Sequence, residues 1–142
     1  MKDSSVRRWS ALHTYLYRLT RGVIGRRFVD NDFLLLTTKG RRTGEDHTVP
    51  LLYLTDGDRY VVIASYGGRP VHPAWYKNLD AEPDVRVQVH ARRQTMVART
   101  AGPEERECWW PRIVAAYGDY AVYQSRTNRQ IPVVVLEPLE DF

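Results

Sequence analysis

The sequence predicts one α+β domain, mainly β, in which short strands close into a small barrel. Three observations lead to this prediction. About six short apolar segments lie between residues 33 and 138, and turn-forming residues separate most of them. The helical patterns between these segments are too few for a parallel βαβ sheet. At 142 residues and 43% hydrophobic content, the chain is large enough to bury one core.

The first 30 residues carry the pattern of an amphipathic helix. Apolar residues recur at alternating spacings of three and four, at Trp9, Leu12, Leu16, Leu19 and Val23. Arginines surround this stripe, and Asp3 is the only acidic residue before Asp30. We favour a helix that packs on the domain over an alternative in which it rests on an anionic membrane surface.

The pattern changes to strands in the predicted barrel domain, residues 31–142. The segments FLLLTT, from Phe33, and TVPLLYL, from Thr48, are the first two strands. The turn residues Asp56-Gly57-Asp58 follow, and YVVIAS is the third strand. We predict a hairpin between the second and third strands through this turn.

Helices and strands alternate in the second half of the chain. Pro73 suits the first turn of a short helix that ends near Ala81. VRVQV and TMVARTA alternate as strands around a turn at residues 91–94. A helix begins at Pro103, is expected to kink or restart at Pro111, and breaks near Gly118. IPVVVLEP is the last strand, and Cys108 is predicted to pack within the preceding helix.

Composition limits the partners and the compartment. The net charge of +4 suits an anionic partner, which could be nucleic acid, an anionic membrane or a phosphorylated small molecule. Nucleic acid is disfavoured, because the arginines of residues 7–27 lie far in sequence from the aromatic clusters. The chain has one cysteine, no apolar run of about 20 residues and no signal-peptide pattern, so we predict a cytoplasmic protein.

Two glycine-containing segments could bind a ligand. In GRRTG, Gly40 and Gly44 let backbone N–H groups converge on an anion, and the arginines between them can grip a phosphate. In ASYGG, Gly67 and Gly68 permit close approach of the backbone to a flat ligand. The alternatives are an exposed basic hairpin tip and a flexible turn.

Two aromatic segments could complete a pocket. HPAWYKNL places Trp75, Tyr76 and Asn78 in one short helix. The tryptophan ring could pack on a ligand, and the amide could hydrogen-bond the ligand's polar edge. YGDYAVYQ repeats tyrosine every three residues, and a phenol is a protonated donor at neutral pH. Core packing is the alternative for both. The sequence lacks Rossmann, P-loop and zinc-site motifs, which favours an organic cofactor as the source of any chemistry.

Taken in order, six segments resemble the deazaflavin-dependent nitroreductase family, whose members bind coenzyme F420. The segments are LLLTTKGRRTG, VPLLYL, DGDRYVVIAS, GG, HPAWYKNLDAEPDVRVQV and TNRQIPVVVLEP. The resemblance runs from about Phe33 to Pro138. It implies a six-stranded split β-barrel of the flavin-reductase type with an N-terminal helix and short flanking helices.

The resemblance also implies a role for each segment. The cofactor phosphate would be held by Arg41, Arg42 and Thr43, and the cofactor channel would be lined by the strand His47, Thr48, Val49, Pro50 and Leu51. The deazaflavin ring and its tail would lie beside Ile63, Ala64, Ser65 and Tyr66, with the opposite wall formed by Ala74, Trp75, Tyr76, Lys77 and Asn78. The catalytic residues would be Ser65, Tyr117, Tyr120 and Tyr123, of which Tyr120 also approaches the ring.

The implied activity is hydride transfer from reduced F420 to a planar apolar acceptor, such as a quinone, a nitroaromatic or an activated enone. Family members often carry basic residues at the positions of His47 and Tyr66, so this chain has less fixed positive charge there. Two alternatives stay open: an FMN-binding split-barrel oxidoreductase, and a deazaflavin-binding protein without catalytic activity. The oligomeric state, monomer or homodimer, is also left open.

Overall fold

A computed structural model describes residues 33–139 and shows seven antiparallel strands and three α-helices. The first four strands are β1 (Phe33–Lys39), β2 (Asp46–Leu52), β3 (Leu54–Asp56) and β4 (Arg59–Ile63). A 3₁₀ turn (Tyr66–Gly68) and helix α1 (Ala74–Ala81) precede β5 (Asp84–Val89) and β6 (Arg92–Thr100). Helices α2 (Pro103–Ala116) and α3 (Asp119–Ser125) lead to β7 (Val133–Pro138).

The seven strands form one curled sheet in the order β2-β1-β5-β6-β7-β4-β3. Its two edge strands, β2 and β3, are consecutive in the chain and are separated only by Tyr53. The sheet is therefore curled, with its two edges joined through one residue, and it is mainly β and barrel-like as the sequence predicts, although β2 and β3 do not pair to close it.

The predicted number of strands is wrong by one. The segment TVPLLYL was expected to be a single strand, but it divides at Tyr53. Its first part pairs with β1, with Leu51 opposite Leu34, and its second part pairs with β4, with Leu54 opposite Val61. The division has a physical reason, because one straight strand cannot pair with two neighbours on opposite edges of a curled sheet.

The interior of the curled sheet holds the first core cluster. Alternate residues of the strands point inward, and Met96 and Leu136 are fully buried there. Helix α1 covers one opening with Trp75 and Leu79, which are 5% and 2% exposed. Burial of large apolar side chains of this kind is the main stabilising term of a domain this size.

A second core cluster lies on the other face of β4 and β7, beneath α2 and α3. It contains Val61, Ile63 and Val133 from the strands and Trp109 and Tyr120 from the helices. Because residues alternate along β4, Val62 and Ala64 belong to the first cluster. Strand β4 therefore separates the two clusters and contributes to both.

Several local predictions are confirmed. The β3–β4 hairpin turns at Gly57, whose φ is 63°, and α1 begins directly after Pro73 and ends at Ala81. Helix α2 begins at Pro103, and a break near Gly118 separates it from α3. The β5–β6 turn is tighter than residues 91–94, since β6 already begins at Arg92.

Three other expectations have different outcomes. Helix α2 continues through Pro111 as one helix. Cys108 is exposed, because it lies on the solvent side of α2 beside the buried Trp109. The predicted amphipathic helix in residues 1–30 lies outside the described residues. Among residues 33–139, no helix is long and apolar enough to cross a membrane.

Candidate active site

One cavity of about 350 Å³ brings together residues from three separate segments of the chain. The β1–β2 loop, strand β2 and the start of α1 form its walls. It is lined by Gly40, Arg41, Arg42, Thr43, His47, Val49, Ala74, Trp75 and Asn78. Every one of these residues except Gly40 belongs to the set that the family resemblance assigns to the cofactor.

The loop that carries the two arginines is compact because of its glycines. The Gly40 N–H donates to the Glu45 carbonyl at 2.7 Å, and the Gly44 N–H donates to the Gly40 carbonyl at 2.8 Å. Gly44 has a φ of 74°, which suits glycine. A Cβ on Gly40 would lie 2.8 Å from His47 Nε2 and 2.9 Å from Thr43 Oγ1. Gly40 therefore allows the loop to fold tightly over the end of β2.

Asn78 ties helix α1 to this loop. Its side chain is 4% exposed, and its Oδ1 accepts from the Arg41 backbone N–H at 3.2 Å and from Arg41 Nη1 at 3.5 Å. Its Nδ2 donates to the hydroxyl of the buried Thr38 at 3.2 Å. The sequence predicts that this amide hydrogen-bonds a ligand, and these contacts show that it also holds the backbone of Arg41 in place.

Strand β2 sends alternate side chains to opposite faces of the sheet. His47 and Val49 line the cavity, and Leu51 reaches the interior core. The Thr48 hydroxyl lies 2.7 Å from that of Thr37, and both line a groove of about 570 Å³ elsewhere on the sheet. Pro50 is buried and pairs with Leu35 of β1. Thr48 and Pro50 are therefore not brought into the cavity.

Residues 63–66, at the end of β4, are the second segment that the family resemblance assigns to the cofactor, and none of them lines this cavity. Ile63 packs beneath the helices, whereas Ala64 packs in the sheet interior. Ser65 is 6% exposed and begins the 3₁₀ turn. Tyr66 is 37% exposed, and its phenol oxygen accepts from Arg69 Nη1 at 2.8 Å. Ser65 and Tyr66 thus follow the end of β4, the strand that contributes to both core clusters, and Tyr66 reaches the surface.

The tyrosines of α3 approach this segment from the other side. Tyr120 is 6% exposed, and its ring makes edge contacts with Tyr117 at 6.1 Å and Tyr123 at 6.0 Å between centroids. A Cβ on Gly68 would lie 2.5 Å from the Tyr123 carbonyl oxygen. The close approach expected at Gly68 therefore exists, but it is filled by the backbone of α3.

Sequence reasoning missed Arg129, which lies between α3 and β7. Its guanidinium donates to three backbone carbonyls of residues 64–69 and contacts His72 Nδ1 at 3.1 Å. A guanidinium can only donate, so Nδ1 of His72 accepts, and the proton of the neutral ring is on Nε2. Burial and the neighbouring Arg129 lower the pKa of His72. A lone arginine in a polar turn carries no local signal that distinguishes it from a surface residue.

The two other α1 positions that the resemblance assigns to the cofactor, Tyr76 and Lys77, do not line the cavity. The Tyr76 ring contacts Trp75, with 6.3 Å between centroids, and its phenol oxygen is 2.8 Å from the Thr100 hydroxyl. Lys77 is exposed beside Asn78. In the described residues, no group of three His, Cys, Asp or Glu side chains could hold a metal ion.

The donor set of the cavity suits a phosphorylated aromatic cofactor. Arg41, Arg42 and Thr43 supply donors to an anion at one side, and Val49, Ala74 and Trp75 form apolar walls. The sequence profile of the F420H(2)-dependent quinone reductase family matches residues 9–138 of the chain. The chain belongs to this family.

Individual relatives support membership of the F420H(2)-dependent quinone reductase family. An F420H(2)-dependent quinone reductase of Mycobacterium tuberculosis is 41% identical over 131 residues, which cover 88% of this chain and 87% of the relative. A solved structure described as an F420-H2 dependent reductase, FDR-A, is 42% identical, with a TM-score of 0.69 over 75% of this chain and 94% of that one. The resemblance inferred from the sequence is confirmed.

A second solved structure covers nearly all of the chain. It is described as a domain-swapped dimer, is 36% identical and has a TM-score of 0.71 over 96% of this chain and all of that one. Membership of the F420H(2)-dependent quinone reductase family means that this chain is an F420-dependent reductase, with F420 rather than FMN as its cofactor.

Proposed function

We propose that this protein reduces a quinone with reduced F420 and that the arginine-lined cavity holds the phosphate end of the cofactor. The observation that carries this assignment is the convergence of eight expected cofactor residues, drawn from three segments, on one cavity. The cavity combines two guanidiniums, a hydroxyl and an indole wall on one concave surface, and these groups suit an aromatic ligand that carries a phosphate.

The phosphate end is assigned from charge and exposure. Arg41 and Arg42 are exposed at the cavity, so their guanidiniums can reach an incoming anion without first being buried. The hydrogen bond from the Arg41 backbone N–H to Asn78 fixes the main chain from which the Arg41 side chain extends. A loop that is already ordered loses less conformational entropy when the ligand arrives, which favours affinity.

The reacting end is assigned to residues 65–66 and the α3 tyrosines. When bound, F420 supplies the hydride. The protein would orient the acceptor and donate hydrogen bonds to the oxygen on which negative charge develops. Ser65 and the phenols of Tyr120, Tyr123 and Tyr117, the last of which lies just before α3, are the candidate donors. The Tyr117 hydroxyl donates to the Tyr53 carbonyl at 3.4 Å and would have to leave that bond to serve the acceptor. Tyr120 is largely removed from bulk water, so a hydrogen bond from its phenol would be stronger than one made in solution.

The acceptor is proposed to be planar and mostly apolar. The family and its relatives carry quinone reduction in their names. The aromatic residues beside the site, Tyr66 and the α3 tyrosines, would also accept nitroaromatics or activated enones, because stacking depends on a flat ring more than on its substituents. These two classes are broader substrates to be tested after a quinone.

The assignment of the phosphate end can be tested with a double variant. Arg41→Ala with Arg42→Ala should weaken F420 binding by roughly tenfold or more, since each charge-assisted hydrogen bond is worth about 1.5–3 kcal/mol before solvent screening. Quenching of deazaflavin fluorescence during titration measures the dissociation constant directly.

A matched control removes two other exposed arginines. Arg92 and Arg93 lie at the start of β6, are exposed, and do not line the cofactor cavity. Their replacement by alanine changes the net charge by the same amount and should leave the affinity near that of the wild-type protein. Equal losses in both double variants would show that overall charge, not the cavity, attracts the cofactor, and the assignment would fail.

Two assembly properties are also proposed. The similar structure that forms a domain-swapped dimer supports a homodimer, which light scattering of the purified protein would detect. The amphipathic pattern of residues 1–30, an apolar stripe surrounded by arginines, supports peripheral contact with anionic lipid. Flotation with vesicles containing or lacking anionic lipid would test it, and equal binding to both would oppose it.

A further inference from the structure

Arg129 makes an unusual number of contacts with one short loop. Its Nη2 donates to the Ser65 carbonyl at 2.7 Å, its Nε to the Arg69 carbonyl at 2.9 Å, and its Nη1 to the Ala64 carbonyl at 3.2 Å. The same Nη1 contacts His72 Nδ1 at 3.1 Å. One guanidinium thus spans both ends of residues 64–72.

This loop has an unusual backbone conformation. Tyr66, Gly67 and Gly68 have successive φ values of 49°, 64° and 79°, all in the left-handed region. Tyrosine occupies that region rarely, because its Cβ crowds the backbone. Strained backbone persists only where surrounding contacts hold it, and such positions cluster at functional sites. The carbonyls on both sides of the strained residues are the ones that Arg129 binds.

Arg129 is itself held in place by the helices. Its carbonyl accepts from Gln124 Nε2 at 2.8 Å, and Gln124 Oε1 accepts from the Ile131 backbone N–H and from Arg106 Nη2, each at 2.9 Å. Arg106 Nε also donates to the Ile131 carbonyl at 3.1 Å. Helices α2 and α3 therefore fix the turn from which the Arg129 side chain extends.

We propose that Arg129 is a positioning residue for the reaction, which holds residues 64–72 in the strained shape that presents Ser65 and Tyr66 to the cofactor ring. This inference rests on the proposed function, in which Ser65 and Tyr66 lie beside the reacting ring. Arg129 does not touch the cofactor cavity, and it acts through the loop that it binds. Lysine could not replace it, since an ammonium lacks the planar fork that reaches three carbonyls at once.

The test compares Arg129→Ala and Arg129→Lys with the wild-type protein. At saturating reduced F420, kcat for a soluble quinone should fall roughly tenfold or more in Arg129→Ala, with a smaller change in cofactor affinity. Guanidinium ion at low, non-denaturing concentration should restore part of kcat in Arg129→Ala. If Arg129→Ala does not fold, Arg129→Lys must show the same loss of kcat. Added guanidinium ion should restore little of it, because the lysine side chain occupies the space of the missing guanidinium.

A second readout does not depend on turnover. Amide hydrogen exchange of the protein without cofactor should be roughly tenfold or more faster in residues 64–72 of the variant, while exchange in β1 and β2 is unchanged. The Gly68 and Arg69 N–H groups report on it, because they donate to the Ser65 and Tyr66 carbonyls within the loop. If residues 64–72 exchange faster in the variant but the wild-type protein reduces no quinone, the proposed function is rejected and the role of Arg129 in holding the loop is retained.

Arg99 supplies the control for a purely structural arginine. It donates to Glu105 at 2.6 and 3.0 Å and pairs with Glu137, remote from the loop in both contacts. Arg99→Ala should lower thermal stability and leave both kcat and exchange of residues 64–72 near wild-type. A normal kcat in folded Arg129→Ala, unchanged loop exchange, or an equal loss of kcat in Arg99→Ala would each overturn the proposal.

Discussion

Replacing Asn78 by alanine should destabilise the protein and loosen the cofactor loop together. The side chain of Asn78 is nearly buried and joins two partners, the Thr38 hydroxyl and the Arg41 backbone N–H, each at 3.2 Å. Alanine can contact neither. The Thr38 hydroxyl is 1% exposed, so water cannot replace the lost amide there. The Arg41 N–H lies at an exposed residue, where water can take over part of the bond.

These contacts set the expected magnitude. A buried polar group left without its partner costs about 1–3 kcal/mol, and a partly hydrated one costs about 0.5–1 kcal/mol. The sum for Asn78→Ala is about 1.5–4 kcal/mol, which lowers Tm by about 5–14 °C in a domain of this size. The contact of Asn78 with Arg41 Nη1 is long, at 3.5 Å, and we assign no stability to it.

Thermal unfolding followed by circular dichroism measures the change in Tm, and titration with F420 measures the loss of affinity. Asn128→Ala is the control, because it makes the same chemical change at an exposed side chain and should shift Tm by only about 1–2 °C. A drop of less than about 2 °C in Asn78→Ala would refute the reasoning, since a buried and a part-buried hydrogen bond cannot both be removed at so small a cost.

Two further predictions concern Tyr120 and His72. Tyr120→Phe should lower kcat at saturating reduced F420 by about 10–100-fold if the phenol supports the developing charge, and unchanged turnover would remove Tyr120 from the chemistry. Burial and Arg129 lower the pKa of His72 from its usual 6.5, so the unfolded chain takes up this proton more readily than the folded chain. The stability that neutral His72 provides is therefore complete above pH 6.5 and declines as the pH falls through the lowered pKa. Lys77 also lowers this pKa, and Asp80 opposes the shift. His72→Gln still accepts a hydrogen bond from Arg129 but does not titrate, so its Tm should fall less than that of the wild-type protein between pH 8 and pH 5. Equal falls in Tm would contradict the stabilising role of neutral His72.

Much of the fold follows from local sequence signals. The glycine at position 57 predicts the β3–β4 turn, and Pro73 and Pro103 mark the starts of two helices, because each signal acts within a few residues. The division of the second strand at Tyr53 could not be predicted in this way. It depends on the closure of the whole sheet, in which β2 and β3 pair with strands at opposite edges.

The candidate site shows the same limit. Arginines beside glycines and aromatic residues in one helix suggest a ligand, and the structure brings Arg41, Arg42 and Trp75 to one cavity. The orientation of Thr48 follows from strand alternation once β2 is placed, although the family resemblance assigned the whole strand to the cofactor. The role of Arg129 requires knowledge that its turn lies against residues 64–72, which are about 60 positions away in the chain.

The contact between Gly68 and the Tyr123 carbonyl has a mechanical consequence. Because a Cβ at position 68 would already meet the carbonyl at 2.5 Å, no free space separates the glycine turn from α3. We therefore expect a displacement of α3 toward this turn to push on the backbone of residues 66–68 instead of being absorbed between the two segments.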